Sequence, residues 1–188
     1  MKAFSLRVHF LGTNGWYDTA AGNTVCIALE HRDFVLVLDA GNGIQRLDSI
    51  SVGDRPVFIF LSHLHLDHVC GLHILAKFSF RGRVAIFMPH GQREALEALL
   101  SPPYTLSYRD LPYQVVFYEL PEALAAFPCK AQVFEMDHSI TTLAIRLEMD
   151  GKVITYCPDT GYCENAVKSA CNADLLIAEC ALRSGREI

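Results

Sequence analysis

An unbroken apolar run, Val57–Leu61, ends two residues before the first histidine of the segment His63-Leu64-His65-Leu66-Asp67-His68. Five consecutive apolar residues are typical of a strand that is buried on both faces of its sheet. The polar segment therefore begins where a buried strand ends. Three imidazoles and one carboxylate at such a position are the strongest constraint that this sequence offers.

The residue types in this segment indicate a metal site. Residues two apart in extended backbone point to the same side, so His63 and His65 can bind one ion together. Asp67 and His68 follow after the chain turns and can reach a second ion. Imidazole nitrogens and carboxylate oxygens suit zinc, manganese or iron, and no thiolate pair lies nearby to indicate a structural zinc knuckle. A histidine-rich polar loop is the alternative, and the buried strand before it favours metal binding.

Other segments extend this pattern: the glycine-rich Phe10–Gly15 and Leu38–Gly43, then His138, and Tyr156–Gly161 with Asp159. Together with the His-x-His-x-Asp-His motif, they resemble the metallo-β-lactamase superfamily of metal-dependent hydrolases, in the branch that contains tRNase Z and related phosphodiesterases. The resemblance runs from about Phe10 to Glu179. It implies an α/β (α+β) fold, an αββα sandwich of two mixed sheets with helices outside, and a single domain over residues 1–188.

The resemblance also implies a cofactor, two divalent metal ions, with zinc first and manganese or iron as alternatives. The ligands that it implies are His63, His65, Asp67, His68, His138 and the bridging Asp159. The two ions would hold a hydroxide as the nucleophile, and Asp67 would also act as the catalytic residue that orients the water or removes its proton.

Five aspartates and histidines outside the first motif also have simpler interpretations. On its own, His138 is compatible with an ordinary half-buried histidine, and Asp159 with a turn carboxylate. Asp39 follows a predicted strand and is expected to cap a turn and to orient a ligand histidine rather than to contact an ion. His73 is interpreted as a packing or orienting residue, and His90 as part of a surface turn.

One ligand of the superfamily has no counterpart, because a further histidine is expected after the bridging aspartate and His138 is the last histidine here. The resemblance therefore predicts that the C-terminal part of the domain is lacking and that the second metal site is weaker. A truncated product, a tail beyond Ile188 and a natural fragment with an incomplete site all remain open.

The predicted function is hydrolysis of a small-molecule or nucleotide phosphodiester, because the two glycine-rich turns resemble the phosphodiesterase and tRNase Z branch. Processing of tRNA 3′ ends is the alternative. The net charge of −5, Leu66 in place of a small residue, and the lack of a basic arm between His68 and His138 disfavour an RNA partner. An inactive metal-binding fragment is the other class that stays open.

The composition sets further limits. With 188 residues, 51% of them hydrophobic, the chain can bury one sizeable core. Its seven scattered cysteines, an odd number without Cys-x-x-Cys spacing, are typical of a reduced, cytoplasmic protein. Residues 1–10 lack the apolar stretch of a signal peptide, so no membrane partner is expected. A homo-oligomer is compatible with these patterns.

The apolar and polar patterns predict ten strands and four helices. The predicted strands are Ser5–Phe10, Val25–Leu29, Phe34–Asp39, Val57–Leu61, Val84–Met88, Gln114–Tyr118, Gln132–Met136, Thr142–Glu148, Val153–Tyr156 and Leu175–Ala178. The predicted helices are Gly43–Ser49, Cys70–Phe78, Gln92–Leu100 and Glu164–Cys171. An Asp-Gly turn within Met149–Lys152 indicates a hairpin.

Overall fold

The computed structural model describes residues 6–180. The chain divides between Pro128 and Cys129 into two compact units, and each unit is built on its own mixed sheet. Ten strands lie within the described residues, and each corresponds to a predicted one. Ser5, where the first strand was expected to begin, lies outside the described residues.

The first unit contains a six-stranded sheet whose strand order follows the chain. The strands are β1 Arg7–Gly12, β2 Cys26–Glu30, β3 Val35–Leu38, β4 Val57–Phe60, β5 Val84–Pro89 and β6 Val115–Leu120. The pairs β1–β2 and β2–β3 are antiparallel, whereas β3 to β6 run parallel to one another.

The central strands of this sheet form the core of the first unit. Every residue of β2, β3, β4 and β5 is buried, as the continuous apolar runs predict. Each fully buried Val, Leu, Ile or Phe side chain contributes about 1.5–3 kcal/mol relative to exposure. Ile44, Leu72 and Leu96, from three helices, join the same core cluster.

The parallel pairing of β3 with β4 brings two polar segments together at one end of the strands. Leu38, the last residue of β3, lies opposite Phe60, the last residue of β4. Asp39 and the segment from Leu61 onward therefore leave the sheet side by side. The packed strands beneath fix the position of both segments.

The helices differ from the predictions in type more than in position. The α-helices α1 Leu66–Val69, α2 Arg93–Leu99 and α3 Glu164–Ala170 include two of the four predicted helices, whereas Asn42–Ser49 and Cys70–Lys77 are 3₁₀ helices. A Cβ atom on Gly71 would lie 2.2 Å from the carbonyl oxygen of Gly41, so backbone approaches backbone where the second 3₁₀ helix begins. The four-residue α1 was not predicted, because it is too short to show a helical period.

The second unit contains a four-stranded sheet in the order β10-β9-β8-β7. Its strands are β7 Lys130–Glu135, β8 Leu143–Met149, β9 Lys152–Cys157 and β10 Leu175–Ala178. The predicted hairpin is confirmed, because Met149 pairs with Lys152 across a two-residue turn. Asp150 and Gly151 have φ angles of 50° and 73°, as this turn requires of both residues. No helix within residues 6–180 is long and apolar enough to cross a bilayer.

Candidate metal centre

The histidine-rich segment has the predicted local conformation, extended first and then turned. It leaves the end of β4 with His63 fully buried. His65 is still extended, with φ −61° and ψ 145°, and it is the residue that precedes α1. Asp67 and His68 lie on α1, so the chain changes direction between the two pairs of candidate ligands.

One ring nitrogen of His63 and one of His65 lie close together. His63 Nε2 lies 3.0 Å from His65 Nδ1, and the two rings are nearly perpendicular. Two nitrogens bound to one tetrahedral zinc at 2.0–2.1 Å would be about 3.3 Å apart. This pair therefore fits a shared metal ion with little movement.

His68 is held in one tautomer by a buried carboxylate. Its Nδ1 lies 2.8 Å from Asp39 Oδ2, with both side chains almost wholly inaccessible to solvent. A neutral imidazole that donates from Nδ1 carries its lone pair on Nε2, which is the form that binds metal. The same Nε2 lies 3.5 Å from Asp67 Oδ2, so these two candidate ligands converge as well.

Asp39 also positions His63, through Ser62. Asp39 Oδ1 accepts a hydrogen bond from the Ser62 backbone N–H at 2.7 Å, and Oδ2 accepts one from the Ser62 hydroxyl at 2.7 Å. The hydroxyl oxygen in turn lies 3.0 Å from His63 Nδ1 and can accept from it. These contacts match the orienting role expected of Asp39. The one carboxylate orients His68 directly and His63 through Ser62.

Asp67 is fixed from the glycine-rich loop after β1. The backbone N–H of Trp16 donates to Asp67 Oδ2 at 2.9 Å. On the other side, a Cβ atom on Gly41 would lie 2.2 Å from the Asp67 carbonyl oxygen, so only glycine fits there. Both glycine-rich turns of the sequence therefore serve to place the motif.

In the second unit, His138 and Asp159 come together at the ends of two strands. His138 follows β7, Asp159 follows β9, and His138 Nε2 lies 3.9 Å from Asp159 Oδ2. Their loops are tied to each other, because Gly161 N–H donates to the Asp137 carbonyl at 2.7 Å and Asp137 N–H donates to the Thr160 hydroxyl at 3.2 Å. An imidazole and a carboxylate in this arrangement are suitable donors for a transition metal.

The other histidines have ordinary partners. His73 is exposed, and its Nδ1 lies within hydrogen-bond distance of the Cys70 carbonyl oxygen. His90 is exposed in a turn, with its Nδ1 3.2 Å from Glu122 Oε1, and this exposure confirms the interpretation as a surface residue. Burial raises the pKa of the Cys157 thiol, so this cysteine beside the Asp159 turn is a protonated packing residue at neutral pH.

Sequence reasoning did not find Ser62 or the contribution of Trp16. Ser62 stands between the apolar run and the first histidine, so its position was a usable signal. The Trp16 contact is made by a backbone N–H, which carries no residue-specific signal at all.

Comparisons with known proteins show what this chain is similar to. The family model described as "Beta-lactamase superfamily domain" matches residues 35–188. A ribonuclease Z of Porphyromonas gingivalis is 33% identical over 124 residues, which are 64% of this chain and 40% of that protein. The chain thus spans well under half the length of this relative.

Two crystal structures share the fold. The metallo-beta-lactamase fold protein YhfI from Bacillus subtilis superposes with a TM-score of 0.76 at 21% identity, over 97% of this chain and 74% of that one. Human tRNase Z, short form, superposes with a TM-score of 0.70 at 23% identity, over 90% and 76% of the two chains. The predicted fold class is confirmed by these likenesses.

Proposed function

Because this chain belongs to the beta-lactamase superfamily, we propose that it is a metal-dependent hydrolase with two divalent ions, zinc first and manganese or iron as alternatives. One observation carries the proposal. Asp39 orients both His63 and His68 from a buried position, and such a carboxylate–histidine arrangement is typical of metal sites.

The proposed ligands of the first unit are divided between two ions. His63 Nε2 and His65 Nδ1 would bind one ion, and Asp67 and His68 the other. His138 and Asp159 are proposed as further ligands on the strength of the family resemblance, with Asp159 as the bridge. When bound, the ions would supply Lewis acidity and a lowered pKa for an attacking water.

The protein side chains have separate tasks in the proposed mechanism. Asp39 holds the proton on His68 Nδ1 and thereby keeps Nε2 as a lone-pair donor. Asp67, fixed by the Trp16 N–H, orients the attacking water and accepts its proton on the carboxylate. The buried core below His63 limits movement of these groups.

A phosphodiester is the proposed substrate, small-molecule or nucleotide. The relative from Porphyromonas gingivalis is named for the cleavage of RNA, whose backbone is a phosphodiester. Cleavage of tRNA precursors is the second candidate, favoured by that relative. The net charge of −5 argues against it, because RNA binding depends on basic surface.

Two further proposals concern the domain and its location. Residues 1–188 are proposed to act as a single domain, and the seven cysteines favour the reducing cytoplasm as its location. Metal binding without turnover is the competing interpretation for the chain of this length.

We expect that the 188-residue chain hydrolyses bis-p-nitrophenyl phosphate, loses that activity after treatment with a chelator, and regains it on addition of zinc or manganese. The reason is that the ions provide the Lewis acidity for the reaction. The monoester p-nitrophenyl phosphate, with the same leaving group, is the control for diester preference. Activity that persists after complete metal removal would contradict the proposal, and cleavage confined to a tRNA precursor would favour the second candidate.

A further inference from the structure

Two large aromatic side chains lie open to solvent in the loop that contacts the candidate ligand Asp67. Trp16 is 85% exposed and Tyr17 is 68% exposed, in the loop that connects β1 and β2. Leu66, inside the histidine-rich motif, is 66% exposed as well. Single exposed apolar residues are normal. A consecutive tryptophan and tyrosine, both exposed in a loop that contacts a candidate metal ligand, indicate a binding surface.

The loop does not need these rings for its own stability. Asn14 Nδ2 donates to the Thr19 hydroxyl at 2.9 Å and to the Gly22 carbonyl at 2.8 Å. Asp18 Oδ1 accepts from the Thr24 backbone N–H at 2.7 Å. Polar groups thus hold the loop shape, and the two rings are presented outward.

The backbone of Trp16 is itself in an unusual conformation. Its φ angle is 39°, a region that bulky residues rarely adopt and that costs about 1–3 kcal/mol. In this conformation the Trp16 N–H reaches Asp67 Oδ2 at 2.9 Å, so the residue that carries the exposed ring contacts a candidate metal ligand through its backbone. Such local strain is typical of functional sites.

We propose that Trp16, together with Tyr17, is a stacking platform for the nucleobase of a nucleotide phosphodiester. This inference rests on the proposed function and names its substrate class. The net charge of −5 disfavours binding of the nucleotide phosphates by the protein surface as a whole, and contact with the base would add affinity that this charge does not oppose. Stacking of a base on an aromatic side chain supplies about 1–3 kcal/mol and tolerates any base.

The fluorescence of Trp16 provides a direct test, because it is the only tryptophan in the sequence. Titration with adenosine monophosphate is expected to quench this fluorescence saturably, whereas ribose phosphate, which lacks the base, leaves it unchanged. The Tyr17→Ala variant should weaken the apparent affinity for adenosine monophosphate at least about fivefold. No quenching, or equal quenching by both compounds, would overturn the platform.

Kinetics separate the platform from the proposed function. Thymidine p-nitrophenyl phosphate and methyl p-nitrophenyl phosphate share a leaving group, and only the first has a base. Trp16→Ala should lower the preference in kcat/KM for the thymidine ester at least about fivefold, through KM, and Trp16→Phe should restore part of it. An unchanged preference in an active Trp16→Ala enzyme overturns the platform alone.

Tyr104→Ala is the matched control. Tyr104 is 70% exposed in another loop of the same unit, and its loss should leave both the quenching and the preference unchanged. If neither ester is hydrolysed but adenosine monophosphate still quenches Trp16, the proposed function fails and the platform stands. A Tyr104→Ala effect as large as that of Tyr17→Ala would overturn the platform.

Discussion

Replacement of Asp67 by alanine is expected to lower kcat for bis-p-nitrophenyl phosphate by about 10²- to 10⁴-fold, the usual contribution of a general base. The carboxylate has two proposed tasks, since it would bind an ion and accept a proton from the attacking water. Both tasks depend on a carboxylate oxygen at this position, and Trp16 N–H holds that oxygen in place. Steady-state kinetics at saturating zinc would measure the effect.

The control for this variant is Asp54→Ala. Asp54 is an exposed aspartate of the same unit, with an ion pair to Arg81 at 3.3 Å, and its loss should leave kcat unchanged. Asp67→Asn should be nearly as impaired as Asp67→Ala, because an amide cannot accept the proton. An Asp67→Ala enzyme with at least half of the original kcat would show that Asp67 is not the catalytic group.

Replacement of Asp39 by asparagine is expected to weaken metal binding by about 10- to 100-fold, as loss of a carboxylate behind a ligand histidine does. Asn tolerates the positive φ of 54° at this position, so the backbone is preserved. An amide has one acceptor oxygen, so it cannot accept all the hydrogen bonds that Asp39 Oδ1 and Oδ2 now accept from Ser62 and His68. Each buried donor left unsatisfied costs about 1–3 kcal/mol, so the free energy of unfolding should fall as well.

A competition titration with a zinc chelator measures the affinity, and urea denaturation measures the stability. Asp150→Asn is a close control, since Asp150 also has a positive φ of 50° but lies in the exposed β8–β9 turn. It should change the affinity for zinc little. An Asp39→Asn variant with the affinity of the original chain would mean that Asp39 caps the turn and does nothing for the metal.

Much of the fold was predictable because the chain places buried strands in continuous apolar runs. Val57–Phe60 and Val84–Pro89 are buried throughout, and such runs are legible without any knowledge of pairing. The Asp-Gly turn also specified its hairpin locally. The histidine-rich segment was informative for the same reason, since its spacing along an extended chain already fixes which side chains share a side.

Other features depend on contacts between distant parts of the chain. The link from Asp39 through Ser62 to His63 exists only because β3 and β4 are parallel neighbours with Leu38 opposite Phe60. The 3₁₀ form of Cys70–Lys77 goes with the close approach of Gly71 to Gly41, which no local pattern records. The division of the chain into two units after Pro128 is not marked in the sequence by a shift in composition or by a linker.

The most direct test of the metal centre is elemental analysis of the purified chain and of a variant in which His63 and His65 are both replaced by alanine. These two imidazoles contribute the nitrogens that converge to 3.0 Å, so they should be indispensable for one ion. We expect bound transition metal in the original chain, about two ions per chain at saturating zinc, and a loss of at least one ion in the variant. A chain without metal, or a variant that retains the full content, would contradict it.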